Sequence, residues 1–256
     1  MSDLYFRPQA LEAIARKTLA TADSYCLNGS TAPVPIETII EKVFGIRIEY
    51  QYLTNNGREL GRMIYDDGYT TFYDKTIGDI GDYSLMKVSA KTMMIDASLF
   101  ENGSCYGRLR FTMAHELAHF ILHKRIFSGT GVAAALYNND TDEDNATEWQ
   151  ANYLGQAILM PNGQVKRCFY ALRPVCHSSR ELVSKMAEAF DVSKQAMETN
   201  EKLRVDLKIL RDFFTHNVHK LANTILVRSD LNGNKDAYQK ATIQGNLSSL
   251  RKNHKQ

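Results

Sequence analysis

The sequence has few of the features that mark secreted, membrane or nucleic-acid-binding proteins. Its 4 cysteines include no Cys-x-x-Cys pair, which is typical of free thiols in a reducing compartment rather than of a disulfide framework. No apolar run approaches the ~18 residues that read as a membrane span, and the N-terminal stretch lacks the apolar core of a signal peptide. The net charge is only +2, so composition alone gives no argument for nucleic acid. These absences predict a cytoplasmic globular protein.

The chain does have enough apolar material for a core, and its hydrophobic period changes along the sequence. The 256 residues are 44% hydrophobic and allow one large domain or two small ones. Helical spacing predicts helices at Pro8–Cys26 and Pro35–Phe44. Alternation then predicts short strands at Ile46–Tyr50, Leu60–Tyr65, Thr70–Tyr73 and Lys91–Ile95. Asp-Asp-Gly at 66–68 is typical of a hairpin turn, whereas the Gly- and Asp-rich stretch Asp74–Val88 predicts a loop.

The stretch 110–123, RFTMAHELAHFILH, carries the pattern His-Glu-x-x-His. On a helix, His115 and His119 lie on one face and can hold one metal ion, and Glu116 can reach a water on that ion. Zinc suits such a site. The neighbouring residues are apolar nearly all round, which predicts a buried helix. Because burying unpartnered polar groups costs ~1–3 kcal/mol each, a shared ion explains these residues better than ordinary core hydrogen bonds.

The pattern supplies two ligands, whereas catalytic zinc sites normally have three protein ligands and a water. Residues 146–160 predict a further helix, ended by Pro161. Glu148 near its start is a candidate third ligand, and it is equally suited to a capping box with Asn145. Other candidates for the third position are Glu143, Asp144, Asn152 and His177. The residues alone leave this choice open.

Two further roles have candidates in the sequence. His123 lies about 12 Å along the helix axis from His115, too far to bind the same ion easily, so we expect it behind the ligands or in a structural role. Asn152 lies one turn from Glu148 and is a candidate to hydrogen-bond its carboxylate. A donor to the oxyanion is also expected, with candidates Tyr73, Tyr170 and His177.

His-Glu-Leu-Ala-His, followed by Glu-x-x-Ala-Asn and then Leu-Met-Pro at 159–161, resembles the ImmA/IrrE family of metallo-endopeptidases, over roughly residues 35–205. The resemblance implies that His115, His119 and Glu148 bind Zn²⁺ and that Glu116 is the general base. It implies an α+β, zincin-like domain, in which we expect a small antiparallel sheet. The sequence departs at Leu154-Gly155, where Phe-Ala is common, and this affects only the packing of that helix.

The resemblance also implies regulatory proteolysis, with a helix-turn-helix, DNA-binding repressor of a mobile element or stress response as the substrate. The alternative is a zinc-containing regulator that binds a partner protein or DNA without cleaving it. The intact Glu116 favours the enzyme, because a purely structural zinc site needs no base.

We predict three parts, namely a metallopeptidase domain at 1–165, a helix-turn-helix-like region at 166–205 and a basic extension at 206–256. In the second part, Ser193 is placed to cap a helix that carries Glu198 and Glu201. Because these carboxylates repel phosphates, we expect this region to pack on the catalytic domain and do not expect direct nucleic-acid binding. The basic extension is interpreted as a solvated tail.

Overall fold

The computed structural model of the protein describes residues 5–22, 32–77, 81–101, 106–128 and 142–200, without the side chains of 142–145. Met1–Leu203 form one compact unit and Arg204–Gln256 a second. The second unit, and with it the predicted basic extension, lies outside the described residues. None of the described helices has the length and apolar character needed to cross a membrane.

The five strands follow one another along the chain, with helices before and after them, as in an α+β fold, and this fold class is confirmed. The helices are α1 (Pro8–Ala22), α2 (Ile36–Thr38, continued by a π-helix at Ile39–Val43), α3 (Ser98–Glu101), α4 (Tyr106–Phe127), α5 (Asp142–Leu159), α6 (Asn162–Leu172, followed by a 3-10 turn at Arg173–Val175), α7 (Ser179–Phe190) and α8 (Lys194–Thr199). The strands are β1 (Arg47–Gln51), β2 (Gly61–Ile64), β3 (Gly68–Asp74), β4 (Asp82–Val88) and β5 (Thr92–Asp96).

The strands form two small sheets. One has the order β1-β5-β2, in which β1 and β5 run parallel and β2 and β5 antiparallel; the other is the antiparallel pair β3-β4. The predicted small antiparallel sheet is therefore found in β3-β4, whereas the three-stranded sheet is mixed. The parallel pair arises because the chain makes a long excursion, through the β3-β4 hairpin, before β5 returns beside β1.

The predicted loop at 74–88 and the predicted hairpin turn at 66–68 are wrong. Residues 82–88 form β4, whose side chains are mostly exposed and therefore give little hydrophobic alternation. β2 and β3 belong to different sheets, so the turn between them closes no hairpin. Instead the carboxylate of Asp67 accepts the backbone N–H of Ala90 at 2.8 Å and holds the chain just before β5.

The core lies between the three-stranded sheet and helices α4 and α5. Every residue of β5 is buried, as the central strand of a covered sheet should be. α4 packs on β2 and β5 on one side and along α5 on another, and α1 packs against α5. The prediction that α4 is a buried helix is confirmed, because twelve of its 22 residues are buried. These include polar as well as apolar side chains. Glu116, His119 and His123 therefore lie inside the molecule, and His115 is partly exposed.

Helices α7 and α8 form a compact corner on this core. α7 ends at Asp191 in the left-handed conformation (φ 52°), and the Ser193 hydroxyl caps α8 by accepting the Ala196 N–H, as predicted. A Cβ on Gly107 of α4 would lie 2.6 Å from the Ser193 nitrogen, so the corner contacts the start of the buried helix. Gln156 of α5 also donates to the Ala196 carbonyl at 3.3 Å. The packing of this corner agrees with the expectation, while its helix-turn-helix character and the three-part division stay predictions.

Candidate metal centre

The site forms where α5 crosses α4, and a glycine allows the close approach. A Cβ on Gly155 would lie 3.1 Å from both the Ala114 carbonyl carbon and the His115 nitrogen, which is tighter than most real contacts. The glycine stands at the position where the sequence departs from the family pattern. Its lack of a side chain lets α5 approach the backbone of α4 next to His115.

The structure brings His115, His119 and Glu148 together. The Nε2 atoms of the two histidines are 3.0 Å apart, and the Glu148 carboxylate oxygens lie 3.4 Å from Nε2 of His115 and 3.1 Å from Nε2 of His119. Burial would raise the pKa of Glu148, but the two imidazoles outweigh it and hold that pKa well below its usual range. These are the side chains, within the described part of the chain, that can hold a metal ion together.

The other candidates for the third position divide into two groups. His177 is exposed after the 3-10 turn and its backbone N–H is bound by Glu181 at 2.9 Å. The side chains of Glu143, Asp144 and the capping candidate Asn145 lie outside the described residues. Glu148 is thus the acidic side chain that the structure places against both imidazoles.

A second partner stands behind each histidine. The Nδ1 atom of His115 lies 3.1 Å from Oδ1 of Asn152, and Nδ1 of His119 lies 3.1 Å from Nδ1 of His123. The contact of Asn152 that the structure shows is with His115, and its hydrogen bond to the Glu148 carboxylate stays a prediction. Because the Asn152 oxygen accepts a hydrogen bond from Nδ1–H of His115, the lone pair of this imidazole is on Nε2, where a metal ion can bind.

Glu116 lies beside this cluster and against strand β2. Its side chain is 8% exposed, and a Cβ on Gly61 would lie 2.7 Å from its Cγ atom. Burial raises the pKa of Glu116, while the nearby His115 and His119 oppose that rise. A carboxylate with a raised pKa is a stronger base, which suits it to take a proton from water.

Sequence reasoning missed Tyr65, which follows β2 directly. Its ring packs on Phe120 and Phe127, with centroids 6.5 and 5.5 Å away. Its hydroxyl is buried and has no hydrogen-bond partner within the described parts of the chain. Burial raises the pKa of Tyr65, and the charges of Glu116 and Glu148 add to the rise, so the hydroxyl lies within electrostatic reach of both carboxylates.

The three residues predicted as oxyanion donors lie elsewhere. Tyr73 packs on Tyr83 within the β3-β4 hairpin, with ring centroids 5.5 Å apart. Tyr170 is 61% exposed on α6, and His177 is exposed. No spacing rule could have identified Tyr65 or Gly61, because both reach the site through the packing of β2 on α4.

Comparison with known proteins gives one family and a distant structural likeness. No curated protein matches the sequence. Among the solved structures that match is a Mycobacterium tuberculosis transcriptional regulator, at 14% identity and a TM-score of 0.36, covering 77% of this chain. This chain spans 46% of the length of that protein.

The family match falls on the part of the chain that builds the site. Residues 104–200 match the Peptidase M78 family, described as the IrrE N-terminal-like domain. The match contains α4 with His115 and His119, and α5 with Glu148. It agrees with the resemblance found in the sequence motifs. Residues 104–200 of this chain are therefore similar to the IrrE N-terminal-like domain of the Peptidase M78 family.

Proposed function

We propose that this protein is a zinc-dependent endopeptidase that hydrolyses a peptide bond in a regulatory protein. The observation that carries the proposal is the spacing of the donor atoms. The Nε2 atoms of His115 and His119 are 3.0 Å apart, and the two Glu148 oxygens lie 3.4 Å from the first and 3.1 Å from the second. Zinc bonds of about 2.0–2.1 Å in a tetrahedron place neighbouring donors about 3.3–3.4 Å apart. The donor set of His115, His119 and Glu148 therefore fits a zinc ion with little movement.

The composition of the site favours a catalytic ion over a structural one. Structural zinc sites are closed by four protein ligands, usually with cysteine among them, whereas catalytic sites keep one position open. The metal-binding group found among the described residues has three members, two histidines and one glutamate. The Glu148 side chain is 38% exposed, so the site has an open side that a polypeptide can approach.

The chain's own residues supply the remaining chemistry. When bound, zinc lowers the pKa of water and polarises a carbonyl. The Glu116 carboxylate takes the proton of the attacking water and then gives it to the amine as the C–N bond breaks. The buried hydroxyl of Tyr65 donates a hydrogen bond to the carbonyl oxygen, which gains negative charge during the attack. Asn152 and His123 hold the two imidazoles from behind.

The class of substrate is supported by the family of residues 104–200. Regulatory proteolysis in the ImmA/IrrE family favours a DNA-binding, helix-turn-helix repressor as the partner. A zincin-like fold and a cytoplasmic location belong to the same proposal. The location agrees with the free thiols of Cys168 and Cys176, since such thiols persist in reducing compartments.

The test is cleavage of repressors encoded beside this protein, with the zinc-loaded chain and two variants. Glu116→Gln should keep its zinc and lose ~10²–10⁴-fold in cleavage rate, because an amide cannot accept the proton. Glu188→Gln, at an exposed position of α7, is the matched control and should cleave normally. Equal cleavage by Glu116→Gln would refute the base. Tight repressor binding without cleavage by the wild-type chain would favour the non-proteolytic regulator.

A further inference from the structure

The two histidine ligands are held from behind in different ways. Nδ1 of His115 faces an amide oxygen of Asn152, which can only accept a hydrogen bond. Nδ1 of His119 faces another imidazole nitrogen, Nδ1 of His123, at 3.1 Å. A hydrogen bond between two imidazole nitrogens needs a proton on one and a lone pair on the other. The direction of this bond is therefore a choice that the surroundings must make.

Only one direction is compatible with a metal on His119. If His123 donates, the proton of His119 must sit on Nε2, which then has no lone pair for an ion. If His119 donates, its Nε2 presents the lone pair towards Glu148 and His115. His123 then accepts at Nδ1 and carries its own proton on Nε2. That Nε2–H needs an acceptor, because His123 is fully buried.

Gln150 is placed to be this acceptor. It lies on α5 two residues beyond Glu148 and is 1% exposed. Burial lowers the pKa of His123 to about 4, and the Gln150 side chain is close enough to the ring to oppose that fall. Its Oε1 atom and Nε2 of His123 are both buried, and neither has a hydrogen-bond partner at normal distance among the residues that the structure describes. A buried acceptor beside a buried potential donor is satisfied when the two meet, and each is costly when left alone.

We propose that His123 and Gln150 are positioning residues that fix which nitrogen of His119 carries the proton, and so present Nε2 of His119 to the metal. The inference rests on the proposed metal site and adds to it a relay of two hydrogen bonds. His119 Nδ1–H donates to His123, and His123 Nε2–H donates to Oε1 of Gln150. Each imidazole ligand thus ends on an amide oxygen of α5, directly for His115 and through His123 for His119.

Histidine-ring NMR of the zinc-loaded protein tests the relay without any substrate, since ring nitrogens that carry a proton differ in shift from those that bind zinc. We expect the proton of His119 on Nδ1, zinc on its Nε2, and the proton of His123 on Nε2. A proton on Nδ1 of His123 would overturn the proposal. Failure of the wild-type chain to bind zinc would refute the site itself, and the relay with it.

Zinc affinity, measured by competition with a chelator, gives the second test. His123→Phe keeps an aromatic ring against Phe127, 6.4 Å away, but removes the acceptor; Gln150→Met keeps the length of the side chain. Each should weaken zinc binding ~10–100-fold, as loss of a group behind a metal ligand does. Gln150→Glu should bind zinc at least as well as wild type, because a carboxylate is a better acceptor for imidazole.

The matched control is Gln164→Met, which alters another buried glutamine, on α6, and should leave zinc affinity unchanged. Gln150 acts only through His123. The double variant that combines His123→Phe with Gln150→Met should therefore bind zinc no more weakly than His123→Phe alone. Losses that multiply in the double variant, or an equal loss in Gln164→Met, would show a packing effect and overturn the proposal. If His123→Phe does not fold, the NMR measurement on the wild-type chain still decides.

Discussion

Replacing Gly61 by alanine should disable the base while leaving the metal ligands in place. Gly61 opens β2, which packs on α4 beside Glu116. A Cβ at this position would lie 2.7 Å from Cγ and 2.8 Å from Oε1 of Glu116, and 2.8 Å from the Thr112 methyl group. Real Cβ atoms do not approach so closely, so the flexible end of Glu116 must move.

The size of the effect follows from the overlap. To reach the ~3.5 Å at which carbon atoms begin to attract, the Glu116 side chain must shift by about 0.8 Å from its 2.7 Å approach. A misplacement of about 1 Å at a catalytic group can cost ~10²-fold in rate. We therefore expect Gly61→Ala to lower kcat/KM by ~10–100-fold. Zinc affinity should stay near that of wild type, because the three atoms nearest to the new methyl group belong to Glu116 and Thr112 and to none of the ligands.

Gly163→Ala is the matched control for this substitution. Its Cβ would meet only the end of the Arg167 side chain, at 3.7 Å, and it lies in the first turn of α6. Alanine should be neutral or stabilising there by up to ~1 kcal/mol, since glycine is a poor helix former. Gly61→Ala and Gly163→Ala are compared in two measurements. One is the rate at which each cleaves the repressor that the Glu116→Gln experiment identifies as a substrate, and the other is zinc affinity. Full activity in Gly61→Ala would show that Glu116 is not held where the structure places it.

Three further outcomes are expected. Tyr65→Phe keeps the ring on Phe120 and should bind zinc normally, yet lose ~10²–10³-fold in kcat as an oxyanion donor would; an unchanged kcat would reject that role. Burial alone would lower the pKa of His115, but the Glu148 and Glu116 carboxylates outweigh it and raise the pKa above 6.5. Protons therefore compete with zinc for His115, so zinc affinity should fall by up to ~10-fold per pH unit below that pKa. A zinc affinity that does not change between pH 5.5 and 8 would contradict this expectation. Finally, α8 exposes Glu198, so a gel-shift at physiological salt should show no sequence-selective DNA binding; a tight, selective complex would overturn the scaffold role.

The parts of the site that could be predicted from sequence are those set by local geometry. His115 and His119 share a helix face because they are four residues apart, and apolar neighbours indicated that this face is buried. Glu148 was one of several candidates until its motif was compared with a family. The structure places it within 3.4 Å of both imidazoles, although its role as a ligand stays a prediction.

The parts that could not be predicted depend on long-range packing. Gly61 opens β2 and Tyr65 follows it, and only the docking of this strand on α4 places Gly61 beside Glu116 and Tyr65 on Phe120. Gln150 resembles any buried helix residue until His123 is found against it. Asn152 illustrates the same limit at close range: helix spacing placed it near Glu148, but the crossing of α5 over α4 gave it His115 as its partner.

The sheet shows a similar division. Strands with apolar residues at buried positions could be recognised, and β1, β2, β3 and β5 lie close to where the sequence predicted them. β4 was not predicted, because most of its side chains are exposed and its structure depends on backbone pairing with β3. The parallel pairing of β1 with β5 depends on which strand returns to which edge, and hydrophobic pattern carries no such information.

The central claim, that His115, His119 and Glu148 hold a zinc ion, is tested most directly by the zinc affinity of Glu148→Gln beside wild type. Competition with a chelator measures both. Wild type should bind one ion per chain, and Glu148→Gln should bind it more than ~100-fold more weakly, beyond the ~10–100-fold that a change behind a ligand costs. Equal zinc affinity in the two proteins would contradict the account, because Glu148 would then not be a ligand.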